Sequence, residues 1–231
     1  MSDSFVIPLE SNPDVLNKFM KSIGVADKYQ LFDVYGLEED TLAFLNKPVL
    51  AFILLFPCTE NYESHRKQQD EDLKANPTKT PDNLFYMKQY LHNACGTVAL
   101  FHSILNNLDR ITLEDGPLKS FYEKAKDLSP EERGKLLEKD EGIIKIHQEI
   151  AREGQTEAPP AQAEVLFHFI ALTKVGDELF ELDGGKCGAV SHGKTSDDTF
   201  LTDAAAVCKK FMARDEKELR FSFMAIAAAE K

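Results

Sequence analysis

Apolar and polar positions change period along the chain, and the changes predict its elements. Val15, Leu16, Phe19, Met20 and Ile23 recur at helical spacing after Asn12-Pro13 and stop before Gly24, which predicts a capped amphipathic helix. A short helical stretch follows Asp33-Val34-Tyr35-Gly36-Leu37. Pro48 then introduces Val49 to Phe56, apolar on both faces and so read as a central strand. Thr59 to Asn83 turns polar, with the charge run Asp70-Glu71-Asp72 and two prolines, which predicts a partly helical, solvated excursion without chemistry. Leu84 to Tyr90 alternates as a strand does and leads into the all-round apolar stretch Ala94 to Leu105.

Asp115 to Leu128 and the segment opened by Ser129-Pro130-Glu131-Glu132 predict two helices, the second with a capping box, and a further helical piece runs to about Arg152. Residues 153–164 have no apolar periodicity and two adjacent prolines, as an extended surface loop would. Leu166 to Val175 and Glu178 to Asp183 flank Gly176-Asp177, a tight-hairpin signal. Ser196 opens a helix whose stripe Phe200, Ala204, Val207, Cys208 and Phe211 faces one side, and Leu219 to Ala227 closes the chain as a strand. The whole reads as one α/β domain over residues 1–231, because 43% hydrophobic residues suffice for one core and no linker parts two.

The net charge of −12 disfavours nucleic acid and anionic membranes, whose phosphates it repels, and favours a basic partner. Met1-Ser2-Asp3-Ser4-Phe5 is not signal-like and Val49 to Phe56 is too short to cross a bilayer, so a cytoplasmic protein is expected. Cys58, Cys95, Cys187 and Cys208 make no close pair and read as reduced thiols. No Cys-x-x-Cys or His-Glu-x-x-His spacing occurs, so no metal or cofactor is expected.

Three residues offer chemistry together. If Val175 faces Glu178, paired positions sum to 353, so Asp183 lies opposite Ile170 and on the same face as His168. Diagonal Cβ atoms then stand about 7–8 Å apart, close enough for an imidazole to reach a carboxylate. Cys95 falls at the start of a helix, where unsatisfied N–H groups and a nearby imidazolium lower a thiol pKa from about 8.5 towards roughly 3.5–7.5. Taken singly, Cys95 reads equally as a small buried thiol, His168 as a half-buried histidine on a backbone carbonyl, and Asp183 as a turn residue before Gly184-Gly185. Their placement on shared faces favours a nucleophile, a base and an orienting acid. Gln89 could donate its amide to an oxyanion beside the Cys95 backbone N–H. His92 and His102 read as surface or supporting groups, while His65, His147 and His192 have no role that the sequence reveals.

Gln89, Asn93-Ala94-Cys95-Gly96-Thr97, Leu166-Phe167-His168-Phe169-Ile170 and Glu181-Leu182-Asp183-Gly184 together resemble the ubiquitin carboxyl-terminal hydrolases, papain-like cysteine peptidases. The resemblance extends to residues 8–13, 33–37, 129–131, 153–156 and 218–221, and is strongest to small single-domain members. It implies a central, mainly antiparallel sheet flanked by helices, with a knotted backbone. It also implies hydrolysis after the final glycine of ubiquitin, or of a ubiquitin-like protein, by a monomer through a thioester. Cys95 would be the nucleophile, His168 the proton carrier, Asp183 its orienter and Gln89 the oxyanion donor. Ubiquitin contacts would come from Pro8, Leu9, Glu10 and Asn12, from Glu153, Gly154, Gln155, Thr156, Glu157 and Ala158, and from Glu218, Leu219, Arg220 and Phe221.

The family's crossover loop would be residues 153–165. Its closed part, at most roughly 40 Å of extended chain, is too short to pass a folded domain, so small or unfolded leaving groups are expected. The chain departs from the family in lacking Trp and in carrying Cys187 after Gly184-Gly185-Lys186. The rival reading of another class is a catalytically silent ubiquitin-binding module; a thiol redox protein finds no nearby resolving cysteine.

Overall fold

Capping chemistry sets the helix starts in the computed structural model, which describes residues 5–156, 159–163 and 165–229. The Asn12 side chain accepts the Asp14 N–H and opens α1 (Pro13–Ser22). Ser129 and Glu132 form the predicted capping box at α6 (Pro130–Glu138), between α5 (Pro117–Ala125) and α7 (Glu141–Ala151). The predicted short helix is α2 (Glu39–Leu42), the predicted central strand is β2 (Val49–Pro57), and the polar excursion is mostly one helix, α3 (Glu60–Ala75). Every residue of α4 (Cys95–Leu105) is buried, as its all-round apolar sequence demands.

Six strands form one antiparallel sheet in the order β1 (Tyr29–Asp33), β6 (Ser222–Ala228), β2, β3 (Phe167–Val175), β4 (Glu178–Leu182) and β5 (Val190–Lys194). Helices cover both faces. Ala51 and Ile53 of β2 join the core shared with α1, α4 and α5, while Phe52, Leu54 and Phe56 join the core under α8 (Phe200–Met212). The sheet therefore carries α4 and its first residue, Cys95, directly on the inner strands. The β3–β4 hairpin keeps the 353 register, from Val175 opposite Glu178 to Ala171 opposite Leu182, with Gly176 at φ +63° in its two-residue turn.

Two local readings need correction, and two strands went unread. Leu84 to Tyr90 is not a strand, because its backbone donors go elsewhere: Phe85 N–H to Asn106 Oδ1 (2.8 Å), Met87 N–H to His102 Nε2 (3.0 Å), Lys88 N–H to Pro130 O (3.0 Å) and Gln89 N–H to Gly184 O (2.9 Å). The side chains of His102 and Asn106 and two backbone carbonyls take the place of a neighbouring strand. The helix assigned to Ser196 begins at Phe200, since Ser196 and Thr199 exchange backbone-to-hydroxyl hydrogen bonds in a turn ahead of it. The short strands β1 and β5 carry too little apolar alternation to announce themselves, β5 ending His192-Gly193-Lys194.

Candidate active site

Asn93 and Ala94 set up the thiol. Asn93 adopts φ +63°, a left-handed conformation that asparagine tolerates, and turns the chain so that Cys95 is the first residue of α4. There the thiol meets the unsatisfied N–H groups of the helix start. Gly96 lets this turn sit between Leu9 and Phe169; an added Cβ would stand a tight 3.3 Å from Leu9 and in ordinary contact with Phe169 (3.5 Å).

His168 and Asp183 meet where the hairpin register predicts. His168 Nε2 lies 2.7 Å from Asp183 Oδ1, so Nδ1 is the nitrogen left to face Cys95. Asp183 is 1% exposed and both oxygens of its carboxylate are engaged: Oδ1 also accepts the Gly185 N–H (2.8 Å) and Oδ2 accepts the Tyr62 hydroxyl (3.0 Å). Gly184 must be glycine, because a Cβ would stand 2.9 Å from Val98 and 3.0 Å from Gln89. That close approach brings Asp183, Gln89 and the first turns of α4 together.

Electrostatics make a charge-separated pair of the thiol and the imidazole. Burial raises the Cys95 pKa, but the hydrogen bond and charge of His168, with the Phe169 and Gly96 N–H groups, bring it below the ordinary value. Burial lowers His168, yet the Asp183 carboxylate and the facing thiolate hold it well above the ordinary value. Asp183 is kept far below the usual carboxylate range by His168, against its burial. The other three thiols go the opposite way: burial pushes Cys58 up to about 11 and raises Cys187 and Cys208. Cys95 is therefore the thiol poised to react. Alkylation by iodoacetamide should accordingly favour Cys95 and reach its plateau at a lower pH than for an ordinary thiol, since its pKa is lowered and that of the facing imidazole is raised. A rate climbing only around the free-thiol value of about 8.5 would contradict this.

The Gln89 amide donates one N–H to the Leu91 carbonyl (3.1 Å) and carries a second; its Oε1 is buried without a partner. A cleft of about 200 Å³ reaches Cys95 between Pro8, Glu10, Leu55, Thr156 and Phe167. A larger hollow, about 540 Å³, lies behind the turn at Asp183, and the thiol at its wall is Cys187, whose pKa burial raises.

Of the segments assigned to partner contact, Pro8, Leu9, Glu10, Gly154 and Thr156 line the cleft, and residues 218–221 do not. Glu10 Oε2 accepts the Gln155 N–H (2.7 Å) beside Gly154, and Glu153 pairs with Lys18. Ser11 Oγ lies 2.8 Å from Ser222 Oγ, and Arg220, paired with Glu218, lies over the Phe167 ring. Leu219 is 81% exposed and Phe221 stacks on Phe223. Leu9 is buried against Gly96, and Asn12 is occupied in capping α1. Glu157 and Ala158 lie outside the described residues. Past that stretch, Ala161 O accepts the Asn93 amide (2.8 Å), which ties the loop to the turn before Cys95.

His92, His102, His147 and His192 have structural partners. His102 is buried, accepts the Met87 N–H and stacks on Tyr86; His147 bridges Thr97 and the Ile7 carbonyl (2.7 Å each). Burial lowers both to about 4, so they stay neutral. His92 stacks on Phe5, and His192 lies 2.9 Å from Glu181, which also binds the buried Lys186. Tyr62 and Lys186 are the site-supporting residues the sequence reading missed. The available signal was a large aromatic, Tyr62, in an otherwise polar helix.

A family sequence profile described as "Ubiquitin carboxyl-terminal hydrolase, family 1" matches residues 6–213. A ubiquitin carboxyl-terminal hydrolase of Drosophila melanogaster is 51% identical over 224 residues, 97% of this chain and 98% of that protein. The ubiquitin carboxyl-terminal hydrolase isozyme L1 of Rattus norvegicus is 43% identical over 96% of this chain and 98% of its own length. In structure, the catalytic domain of Trichinella spiralis UCH37, solved bound to ubiquitin vinyl methyl ester, superposes with a TM-score of 0.77 at 23% identity, covering 100% of this chain and 97% of that one. The shared fold includes the antiparallel sheet between two helical layers. Among the described residues no helix is long and apolar enough to cross a membrane.

Proposed function

The chain belongs to the ubiquitin carboxyl-terminal hydrolase family, and from that premise we propose that it is a thiol-dependent deubiquitinase releasing small or unfolded adducts from the C-terminal glycine of ubiquitin. One observation carries the reading: the only thiol whose pKa falls starts a helix opposite an imidazole held 2.7 Å from a buried carboxylate. The Cys95 thiolate attacks the glycine carbonyl, and its proton resides on His168. His168 then protonates the departing amine or thiol, and the same base activates the water that hydrolyses the thioester. Asp183 keeps the imidazole turned and stabilises its charge. The second N–H of Gln89 and the backbone N–H of Cys95 receive the oxyanion. Gln89→Ala should lower kcat roughly 10²–10³-fold with KM little changed, and an unchanged kcat would remove Gln89 from the mechanism.

Ubiquitin docks, in this reading, on residues 8–12, 153–158 and 218–221, and the net charge of −12 suits its arginine-bearing tail. In this reading the loop 153–165 sieves the leaving group. Diubiquitin should be cut far more slowly than a fluorogenic ubiquitin amide, and lengthening the loop should narrow that gap; a lengthened loop with no gain on diubiquitin contradicts the sieve. Residues 1–231 act as one catalytic domain, monomeric and cytoplasmic, where a reduced Cys95 survives. Sedimentation at working concentration tests the first point and fractionation of cells the second. Turnover of the fluorogenic amide tests the whole: binding of ubiquitin without turnover would leave a silent binding module.

A further inference from the structure

The carboxylate that orients His168 is itself held from outside the three catalytic segments. Tyr62, 4% exposed on α3, donates its hydroxyl to Asp183 Oδ2 at 3.0 Å, while the other two donors, His168 Nε2 and Gly185 N–H, both sit on Oδ1. With Oδ1 alone engaged, the carboxylate can swing about its last torsion; a donor on Oδ2 fixes the plane in which it presents Oδ1 to the imidazole. Nothing else in the Tyr62 environment asks for a hydroxyl. Its ring packs on Phe56 (4.6 Å) and Phe211 (6.5 Å), and Phe56 in turn packs edge-on against the His168 ring (5.9 Å). Phe56 therefore spans the two rings that grip the carboxylate from opposite sides.

Resting on the triad reading above, we infer that Tyr62 is a positioning residue of the hydrolase: its hydroxyl fixes the Asp183 carboxylate that orients His168. It does not transfer protons itself. Burial and the Asp183 charge push its pKa far above the ordinary range, so it remains a neutral donor wherever the enzyme works. Its helix is docked on the same turn by other contacts: Arg66 reaches the Gly185 carbonyl, Gln69 accepts from Lys186 Nζ (2.6 Å), and Asp70 accepts the Cys187 N–H (2.9 Å). Those contacts seat α3; Tyr62 alone among them touches the carboxylate.

The test is a double-mutant cycle on the full chain, read with a fluorogenic ubiquitin amide. Tyr62→Phe keeps the ring and should lower kcat roughly 10–100-fold, the scale of one hydrogen bond to a charged group, with KM nearly unchanged because Tyr62 is buried behind the site. In an Asp183→Ala background the same change should cost nothing further. Asp70→Ala, which loosens α3 from the turn without touching Asp183, should leave kcat near wild type. Equal losses from Tyr62→Phe and Asp70→Ala, or full additivity with Asp183→Ala, would overturn the inference by showing that helix docking matters and the hydroxyl does not. If Asp183→Ala does not fold, the KM-against-kcat split and the Asp70→Ala comparison decide. An Asp183→Ala variant that folds and keeps full kcat would instead defeat the triad reading, whereas an impaired Asp183→Ala beside a fully active Tyr62→Phe would defeat only the role of Tyr62.

Discussion

Cys95→Ala should abolish hydrolysis of a C-terminal ubiquitin amide, lowering kcat by on the order of 10⁶, the loss seen when a protease nucleophile is removed, while ubiquitin still binds. The two effects separate because Cys95 is a single residue of the cleft wall, 7% exposed, whereas the proposed docking contacts come from other segments. Alanine removes only the sulfur from a residue that starts a buried helix, so the fold should survive. Turnover and ubiquitin affinity measured on the same two proteins check both halves. Activity that persists in the variant would end the mechanism, and loss of binding with activity would mean that the substitution had damaged more than the nucleophile.

His168→Ala should be nearly as severe and should act through Cys95. The imidazole is what holds the thiol below its ordinary pKa against burial. Without it burial prevails, as it does at Cys208 and Cys58, and the Cys95 pKa rises. The sign is then fixed: the wild-type sulfur ionises at a lower pH than an ordinary thiol, and the variant sulfur at a higher one. Both kcat and the neutral-pH alkylation rate should fall, kcat by about 10⁴–10⁶, and Cys95→Ala added to His168→Ala should cost almost nothing more, because the two residues act as a unit. Stopped assays and mass-resolved alkylation of the same samples would check this. A His168→Ala enzyme whose Cys95 still alkylates at the wild-type neutral rate would show that the helix start, not the imidazole, ionises the sulfur.

The parts of this site that were legible in the sequence are those set by local rules. A two-residue Gly176-Asp177 turn leaves one register for the hairpin, and the strand period then puts Asp183 on the His168 face. Cys95 could be placed at a helix start because the apolar stretch after it is long enough to be buried all round. What escaped depends on partners far away in the chain. Leu84 to Tyr90 has the alternation of a strand, yet Asn106, His102, Pro130 and Gly184 take its donors, and none of these is near in sequence except through α4. Strands β1 and β5 are short edges whose pairing depends on β6 and β4 already being in place. Tyr62 looked like part of a solvated excursion. Its contact with Asp183 spans 121 residues and exists only because α3 docks on the turn after β4, a tertiary fact that no local pattern encodes.

The same dependence decides why Gly184 and Gly96 matter more than their sequence context suggests. Each lets two segments approach within van der Waals contact, Gly184 bringing Gln89 and Val98 onto the Asp183 turn and Gly96 bringing Leu9 and Phe169 onto the Cys95 turn. Catalytic geometry here is set by what is absent from those two positions as much as by the groups that react.

The most direct measurement of the central claim uses ubiquitin vinyl methyl ester, whose alkene captures a thiolate that reaches the ubiquitin C-terminus. Intact mass and peptide mapping after incubation at neutral pH should show one ubiquitin per chain, bonded to Cys95, with Cys58, Cys187 and Cys208 unmodified and no adduct on Cys95→Ala. An adduct on any of the other three cysteines, or none on Cys95 in a folded protein that binds ubiquitin, would contradict the account.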